Sequence, residues 1–415
     1  MPSKIYSKHH NHIPFHSYFN ESSAMYITAT LRNLALSLIG IFLPIYIIEL
    51  PSKISLFSDT FFNGIAWVLV YFMIRSIITA LFTLFLSNFI FLKLTLRKSI
   101  LVSSLILSLE LCTLLVIEKG LNLGYSSCTW LIILAGILRG LSITFYWIPF
   151  HIFFIRKTDG GDQRYGKEIS TRVFLVKLSS VVAPILGGLI ISRAGFHSAF
   201  IISIFLLIVS TFPIVFNLNE GVHDHHNPTT VIRNYLFNPK LKLITLAYFG
   251  NGAEALVYTI FWPILLFIVL ESFIKVGAIT SISILISSLV VLWVGKTIDK
   301  HGRTLLHSVG VTLNTLFYLP RLFSSSQFLL YSLDIVDRVN GVLYSLPFIT
   351  NTYEKAVRLG DSDFIIYREI AIHIAIAVTA ALLLILLPFL PNWRYVFIIA
   401  IVGSATSFLM SVDKN

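Results

Sequence analysis

Long apolar runs alternate with short polar breaks along the whole chain, and this alternation predicts a series of membrane-crossing helices. Runs rich in Leu, Ile, Phe and Val fall at about 24–48, 61–86, 99–117, 129–155, 169–192, 196–217, 243–270, 276–294, 304–322, 327–350, 365–390 and 394–411. An α-helix needs roughly 20 apolar residues to cross the hydrocarbon layer, and most of these runs reach that length. They are continuous rather than alternating, which argues against a β-barrel. The pattern therefore predicts an all-α integral membrane protein of twelve transmembrane helices. The longest polar break in the middle of the chain, 219–242, divides six spans from six. The expected organisation is a tail at 1–23, a six-helix bundle at 24–218, a linker at 219–242 and a second six-helix bundle at 243–412.

Composition supports the membrane assignment. Of the 415 residues, 56% are hydrophobic and 12% are charged, against about 25% charged in soluble proteins. The mean hydropathy is +0.83. The net charge of +11 does not require nucleic acid, because the cations gather in loops on one side. That side holds Lys4, Lys8, Lys93, Arg97, Lys98, Arg156, Lys157, Arg164, Lys167, Arg233, Lys240, Lys242, Lys296, Lys300, Arg303, Lys355, Arg358, Arg368 and Lys414. The other side holds Lys53, Lys119, Arg193, Lys275, Arg321 and Arg394. The positive-inside rule then places both termini in the cytoplasm, on a multi-pass protein of the cell membrane. Trp130 and Trp393 open spans at the outer face and Trp293 closes one at the inner face, as aromatic belts do. No apolar h-region follows the polar start, so no cleavable signal peptide is expected. Cys112 and Cys128 flank one external turn. A disulfide is open to them, and two unpaired thiols are the preferred reading.

The stretch Gly295-Lys-Thr-Ile-Asp299-Lys300-His-Gly302-Arg303 lies between two apolar runs and reads as a tight basic loop. Gly295 and Gly302 permit close approach and positive φ. Asp299 suits a helix N-terminus or a neighbouring helix. The two halves also share spacing. Arg139, Tyr146, Pro149 and Phe150 of the fourth span recur, at one constant offset, as Asp337, Tyr344, Pro347 and Phe348 of the tenth. Duplicated six-helix halves leave this kind of trace.

Three features together resemble the major facilitator superfamily of secondary transporters. They are the six-plus-six division, the G-x-x-x-D-K-x-G-R stretch, and Ala183-Pro184-Ile-Leu-Gly187-Gly188 in the fifth span. The last is similar to the family's G-P-x-x-G-G pattern, with Ala for the first Gly. Its small residues suit close helix packing, with Pro184 expected to kink the helix. There are departures. In the first half, Lys93 stands where Asp299 stands in the second, and Leu96 where Gly302 stands. Arg139-Gly140 replaces the R-x-x-Q-G pattern of drug antiporters, which counts against multidrug proton antiport.

Ionisable residues at helix centres cost about 2.5–3.5 kcal/mol each on insertion scales and persist when paired, hydrated or functional. Here they include Arg32, Glu49, Arg75, Glu110, Arg139, His151, Arg172, Lys177, Glu254, Asp334, Asp337, Arg338 and His373. The resemblance implies that spans one, four, seven and ten line a central cavity. Arg32, Arg139, Glu254, Asp334, Asp337 and Arg338 all fall on those four spans and are the candidates for a substrate and proton-coupling site. Arg139 and Asp337 occupy matching positions in the two halves and are expected to meet near the midplane. The alternative role for these charges is an ion-pair network that holds the halves together. Tyr146, Trp147, Asn251, Tyr258, Trp262, Asn340 and Tyr344 lie on the same spans as candidate cavity groups, or as packing residues.

His9, His10, His12 and His16 crowd the N-terminus, and His223, His225 and His226 sit in the linker; a flexible solvated tract is the preferred reading over a metal site. No Walker motif appears, so ATP does not drive the protein directly. No cofactor and no metal are expected. The leading reading is a monomeric secondary transporter of a small organic solute, working by alternating access in the lipid bilayer and coupled to protons. The alternatives are a membrane enzyme acting on lipid-linked substrates, with His151, Asp334 and Asp337 as its only candidate groups, and a sensor or scaffold that no longer transports.

Overall fold

The computed structural model describes residues 15–50, 59–119, 125–158, 170, 173–178, 180–217, 228–301 and 303–412. The histidines of the linker, those at 9–12, Arg172 and Gly302 lie outside these residues, as do the side chains of His16 and Asp299.

Within the described residues the apolar runs are mainly helical, because backbone groups in a lipid environment must satisfy one another within the segment. The first span is a helix over Phe15–Gly40 that breaks and resumes over Leu43–Glu49, with Pro44 at the restart. It therefore begins inside the stretch read as a tail. The second and third spans are Thr60–Lys93 and Leu96–Lys119, and the fourth is Tyr125–Thr158. Asp59 caps the second, its carboxylate accepting from the backbone N–H groups of Phe61 and Phe62. The seventh to ninth spans are Lys242–Leu270, Phe273–His301 and Thr304–Phe317, the last followed by a single 3-10 turn at Pro320–Leu322. Gln327–Leu359, Asp361–Leu386 and Phe397–Ser407 form the tenth to twelfth.

Of the fifth span, 173–178 is helical, and from Ala183 it forms with the sixth span one element, Ala183–Asn217, divided at Gly195. There φ is +74° and ψ 172°, a conformation that an L side chain rarely adopts. Before it the chain turns at 180–182, and Pro184 lies in the first turn of the helix that begins at Ala183. The proline thus starts the second helical part of the fifth span, where its missing N–H costs little, and the interruption of the span falls just before it, at 180–182.

The Gly295–Arg303 stretch also differs from its reading as a loop. The eighth helix runs through Gly295, Asp299 and Lys300 to His301, and Arg303 already caps the ninth. Lys-Thr-Ile-Asp-Lys carries no helix breaker, so nothing stops the helix before Gly302. Within the linker, 228–241 forms short helical turns, and the Tyr235 hydroxyl donates to the Leu359 carbonyl over 2.6 Å.

Packing follows the two halves. In the first, the first span lies on the element containing spans five and six, and the fourth on the second and third. In the second, the seventh lies on the eleventh and twelfth, and the tenth on the eighth and ninth. The halves join where the second span meets the eleventh and the fifth meets the eighth. Glycine makes the second of these joints possible. A Cβ at Gly188 would collide with the Phe273 carbonyl oxygen, and one at Gly277 with that of Pro184. Gly187 sits equally tightly against the Leu38 carbonyl of the first span.

Candidate functional site

Each half carries a cavity, a first-half lobe and a second-half lobe, and the two share Lys177 on their walls. The first-half lobe has a volume of about 270 Å³ and the second-half lobe about 330 Å³. Spans one, four and five line the first. Spans seven, nine and ten line the second, and Lys177 of the fifth span borders both.

Hydroxyls and one carboxylate hold the arginines of the first lobe. Arg32 is 5% exposed. Its Nη1 donates to Ser104 Oγ (3.2 Å), and its Nη2 donates to Ser103 Oγ (3.0 Å) and Ser142 Oγ (3.2 Å). Its guanidinium lies 4.3 Å from the centre of the Tyr146 ring, over its face. Arg139 is paired with Glu110 at 3.2 Å, and the Tyr71 hydroxyl donates to the same carboxylate at 2.6 Å. Arg75 stacks on Phe72 at 4.5 Å and does not belong to the lining.

The second lobe holds the acids. Asp334 is fully buried and accepts from the Trp262 indole N–H (2.7 Å) and from Arg338 Nε (3.0 Å). Asp337 is paired with Arg321. Glu254 accepts from the Tyr318 hydroxyl and, at 3.4 Å, from Asn314, so its hydrogen-bond partners are neutral, while the Arg321–Asp337 pair acts on it through space. Asn251 donates to the Tyr344 hydroxyl over 2.7 Å.

The sequence candidates therefore divide. Arg32, Arg139, Tyr146 and Trp147 line the first lobe; Asn251, Glu254, Tyr258, Asp337, Arg338 and Tyr344 line the second. Asp334 and Trp262 lie behind the wall as a buried donor–acceptor pair. Asn340 turns away and donates to the Gly310 carbonyl of the ninth span at 3.1 Å. Arg139 and Asp337 do not meet: each finds its ion-pair partner within its own half, Glu110 and Arg321. A local partner satisfies a buried charge without crossing the cavity, and each half supplies one.

Arg321 is the main residue that the sequence reading misplaced. Expected in an external loop, it is fully buried, 4.3 Å from the Trp262 ring centre and 4.2 Å from that of Tyr318. A signal was available, because two acids faced a single arginine on the tenth span and needed a second cation. Lys177 also counts for more than its span assignment implied. Its Nζ donates to Ser287 Oγ of the eighth span at 3.1 Å, so it reaches from one half to the other.

The halves touch at both ends of the bundle. At the end carrying Lys93, Lys242 and Arg303, His151 Nδ1 is hydrogen-bonded to the Tyr353 hydroxyl at 2.6 Å. Arg368 Nη1 lies 3.4 Å from His151 Nε2, and Glu369 lies 3.7 Å from His151 and 3.8 Å from His373. Close by in sequence, Arg303 is paired with Glu354 of the tenth span. At the opposite end, Leu43–Glu49 packs on the seventh span, and the Phe61 and Trp393 rings meet edge-on at 5.9 Å. Among the described residues no three His, Cys, Asp or Glu side chains converge as a metal site, and Cys112 and Cys128 are unpaired.

Comparisons agree with this architecture. One solved structure, of a bacterial homologue of the iron transporter ferroportin in an outward-facing state with soaked iron, is 13% identical with a TM-score of 0.62, over 94% of this chain and 98% of that one. Another, of the human organic anion transporter MFSD10 (TETRAN), is 12% identical with a TM-score of 0.65, over 94% of this chain and 99% of that one. These likenesses bear on the fold alone. No curated protein matches the chain significantly in sequence. The sequence profile of the Major Facilitator Superfamily matches residues 25–353, and this multi-pass membrane protein belongs to that family.

Proposed function

We propose that the protein is a secondary active transporter that moves a small organic solute across the cell membrane by alternating access, coupled to protons. Residues 24–218 and 243–412 act as the two moving bundles and 219–242 as their tether. The chain works as a monomer with both termini in the cytoplasm, an orientation supported by the one-sided distribution of Lys and Arg. The observation that carries the reading is the pair of lobes, one in each half and both bordered by Lys177, in halves that touch at both ends of the bundle. Rocking of one half against the other can then expose the cavity to either side in turn.

Glu254 is the proposed proton carrier. It lines the second lobe and its described partners are the uncharged Tyr318 and Asn314. A carboxyl group with neutral partners exchanges a proton without breaking an ion pair, unlike Asp334 and Asp337, which are held by arginines. Arg139 and Asp337 line the route and hold it in shape through their partners.

Proteoliposomes loaded with a pH-sensitive dye and offered organic acids, amines and sugars in turn provide the test. The substrate should draw a proton flux in wild-type protein. In Glu254→Gln, solute exchange without a gradient should persist while the proton flux disappears. An undiminished proton flux in Glu254→Gln would remove Glu254 from the coupling role. No flux of any solute in either direction would remove transport.

A further inference from the structure

The charges around the cavity do not balance, and the imbalance has a sign. Arg139 is matched by Glu110, Arg338 by Asp334, and Asp337 by Arg321. Two cations in the lining remain, Arg32 and Lys177, and among the described residues neither has a carboxylate partner. The carboxylate left over, Glu254, lines the second lobe, which Lys177 also borders, and among the described residues no ion pair joins the two. The first lobe is therefore a small chamber with two positive charges on its wall that have no ion-pair partner among the described residues.

Neutral oxygens hold both cations in place. Arg32 donates to Ser103, Ser104 and Ser142. Ser103 and Ser142 each donate their own proton to the other's backbone carbonyl, at 2.7 and 3.0 Å, which leaves oxygen lone pairs for the guanidinium. Lys177 is treated alike, by Ser287, whose hydroxyl proton goes to the Ile284 carbonyl at 3.1 Å. Hydroxyls orient a cation without cancelling its charge. A charge kept in a membrane interior without a counter-ion is costly, and an incoming anion offsets that cost. Apart from Asn33, Ser142 and the paired Arg139, the rest of the lobe is apolar and aromatic, with Leu36, Ile143 and Phe150, and Trp147 edge-on to Tyr146 at 5.1 Å. Trp147 is 39% exposed, so its ring is available to a ligand.

We infer that this lobe binds an organic anion with a compact apolar or aromatic body, its charged group held between Arg32 and Lys177 and its body resting on Tyr146 and Trp147. The inference rests on the transporter reading and names the substrate class of that cavity. A simple cation is disfavoured, because it would meet two like charges before reaching Glu254.

A matched set of probes isolates the charge. Phenylacetate, phenethylamine, phenylalanine and benzyl alcohol share one ring and differ in head group; indole-3-acetate and benzenesulfonate extend the anions in size and geometry. Thermal stabilisation and equilibrium binding are measured on the full-length protein in nanodiscs. The aryl anions should bind in preference to the amine, the zwitterion and the alcohol. Lys177→Gln and Arg32→Gln should each weaken anion binding about tenfold or more, the scale of a lost charge-assisted contact, with Arg32→Lys recovering part of the loss. Trp147→Leu should weaken all ring-bearing probes together and leave the preference for anions intact. Lack of binding by all three anions, or preference for the amine or the zwitterion, overturns the inference. The transporter reading fails separately: anion binding without counterflow of the same anion in proteoliposomes keeps the anion site and removes transport.

Discussion

Asp337 has its ion-pair partner in Arg321, which lies beyond the ninth helix and beside Pro320. Removing one member of a buried pair strands the other, at a cost of about 3–5 kcal/mol, whereas replacing both with apolar groups is often neutral. Asp337→Leu and Arg321→Leu should thus each lower the melting temperature in detergent sharply, and the double variant should regain most of the loss. If the double variant melts as low as the worse single one, the pair does not act as a unit. The charges of the tenth span were legible in the sequence, because an apolar run tolerates few of them and Asp334, Asp337 and Arg338 stand out. Their partners were not. Helical spacing places Asp334 beside Arg338, but nothing local reveals that Glu110, Tyr71 or Arg321 closes the remaining pairs from other elements.

At the scale of the element, hydropathy located every span and misjudged several ends. Apolar residues report where lipid or core must be, and the helix continues past them wherever no breaker intervenes. This is why the eighth helix absorbs the Gly295–Asp299 stretch and the tenth runs on to Leu359. The glycines were legible as small residues, while their contacts depend on which helices the fold brings together. Gly188 faces Phe273 and Gly277 faces Pro184, so one joint between the halves is backbone against backbone. Gly277→Val should separate the fifth and eighth spans and slow any transport cycle while the protein still inserts, with Gly277→Ala intermediate. Activity in solute exchange checks this, and wild-type exchange in Gly277→Val would show that the joint tolerates separation.

For the whole molecule, the sequence made the six-plus-six division visible, and the repeat between the fourth and tenth spans pointed to equivalent positions. It also suggested that equivalent charges, Arg139 and Asp337, would meet. Each half instead satisfies its own buried charges first, so the contacts between halves fall to other residues: His151 with Tyr353 at one end, aromatic rings at the other and Lys177 at the cavity. The two unmatched cations then have an electrical consequence. An empty cavity that carries surplus positive charge responds to a membrane voltage, and one elementary charge crossing the whole field is worth about 2.3 kcal/mol per 100 mV. On the transporter reading, the empty protein prefers to open toward the negative side, and a bound monoanion weakens that preference. Capacitive recordings on a supported membrane should accordingly find a transient charge movement in the empty protein that shrinks when the anion is added and in Lys177→Gln. The resting potential of the cell would then bias the direction in which the unloaded site waits.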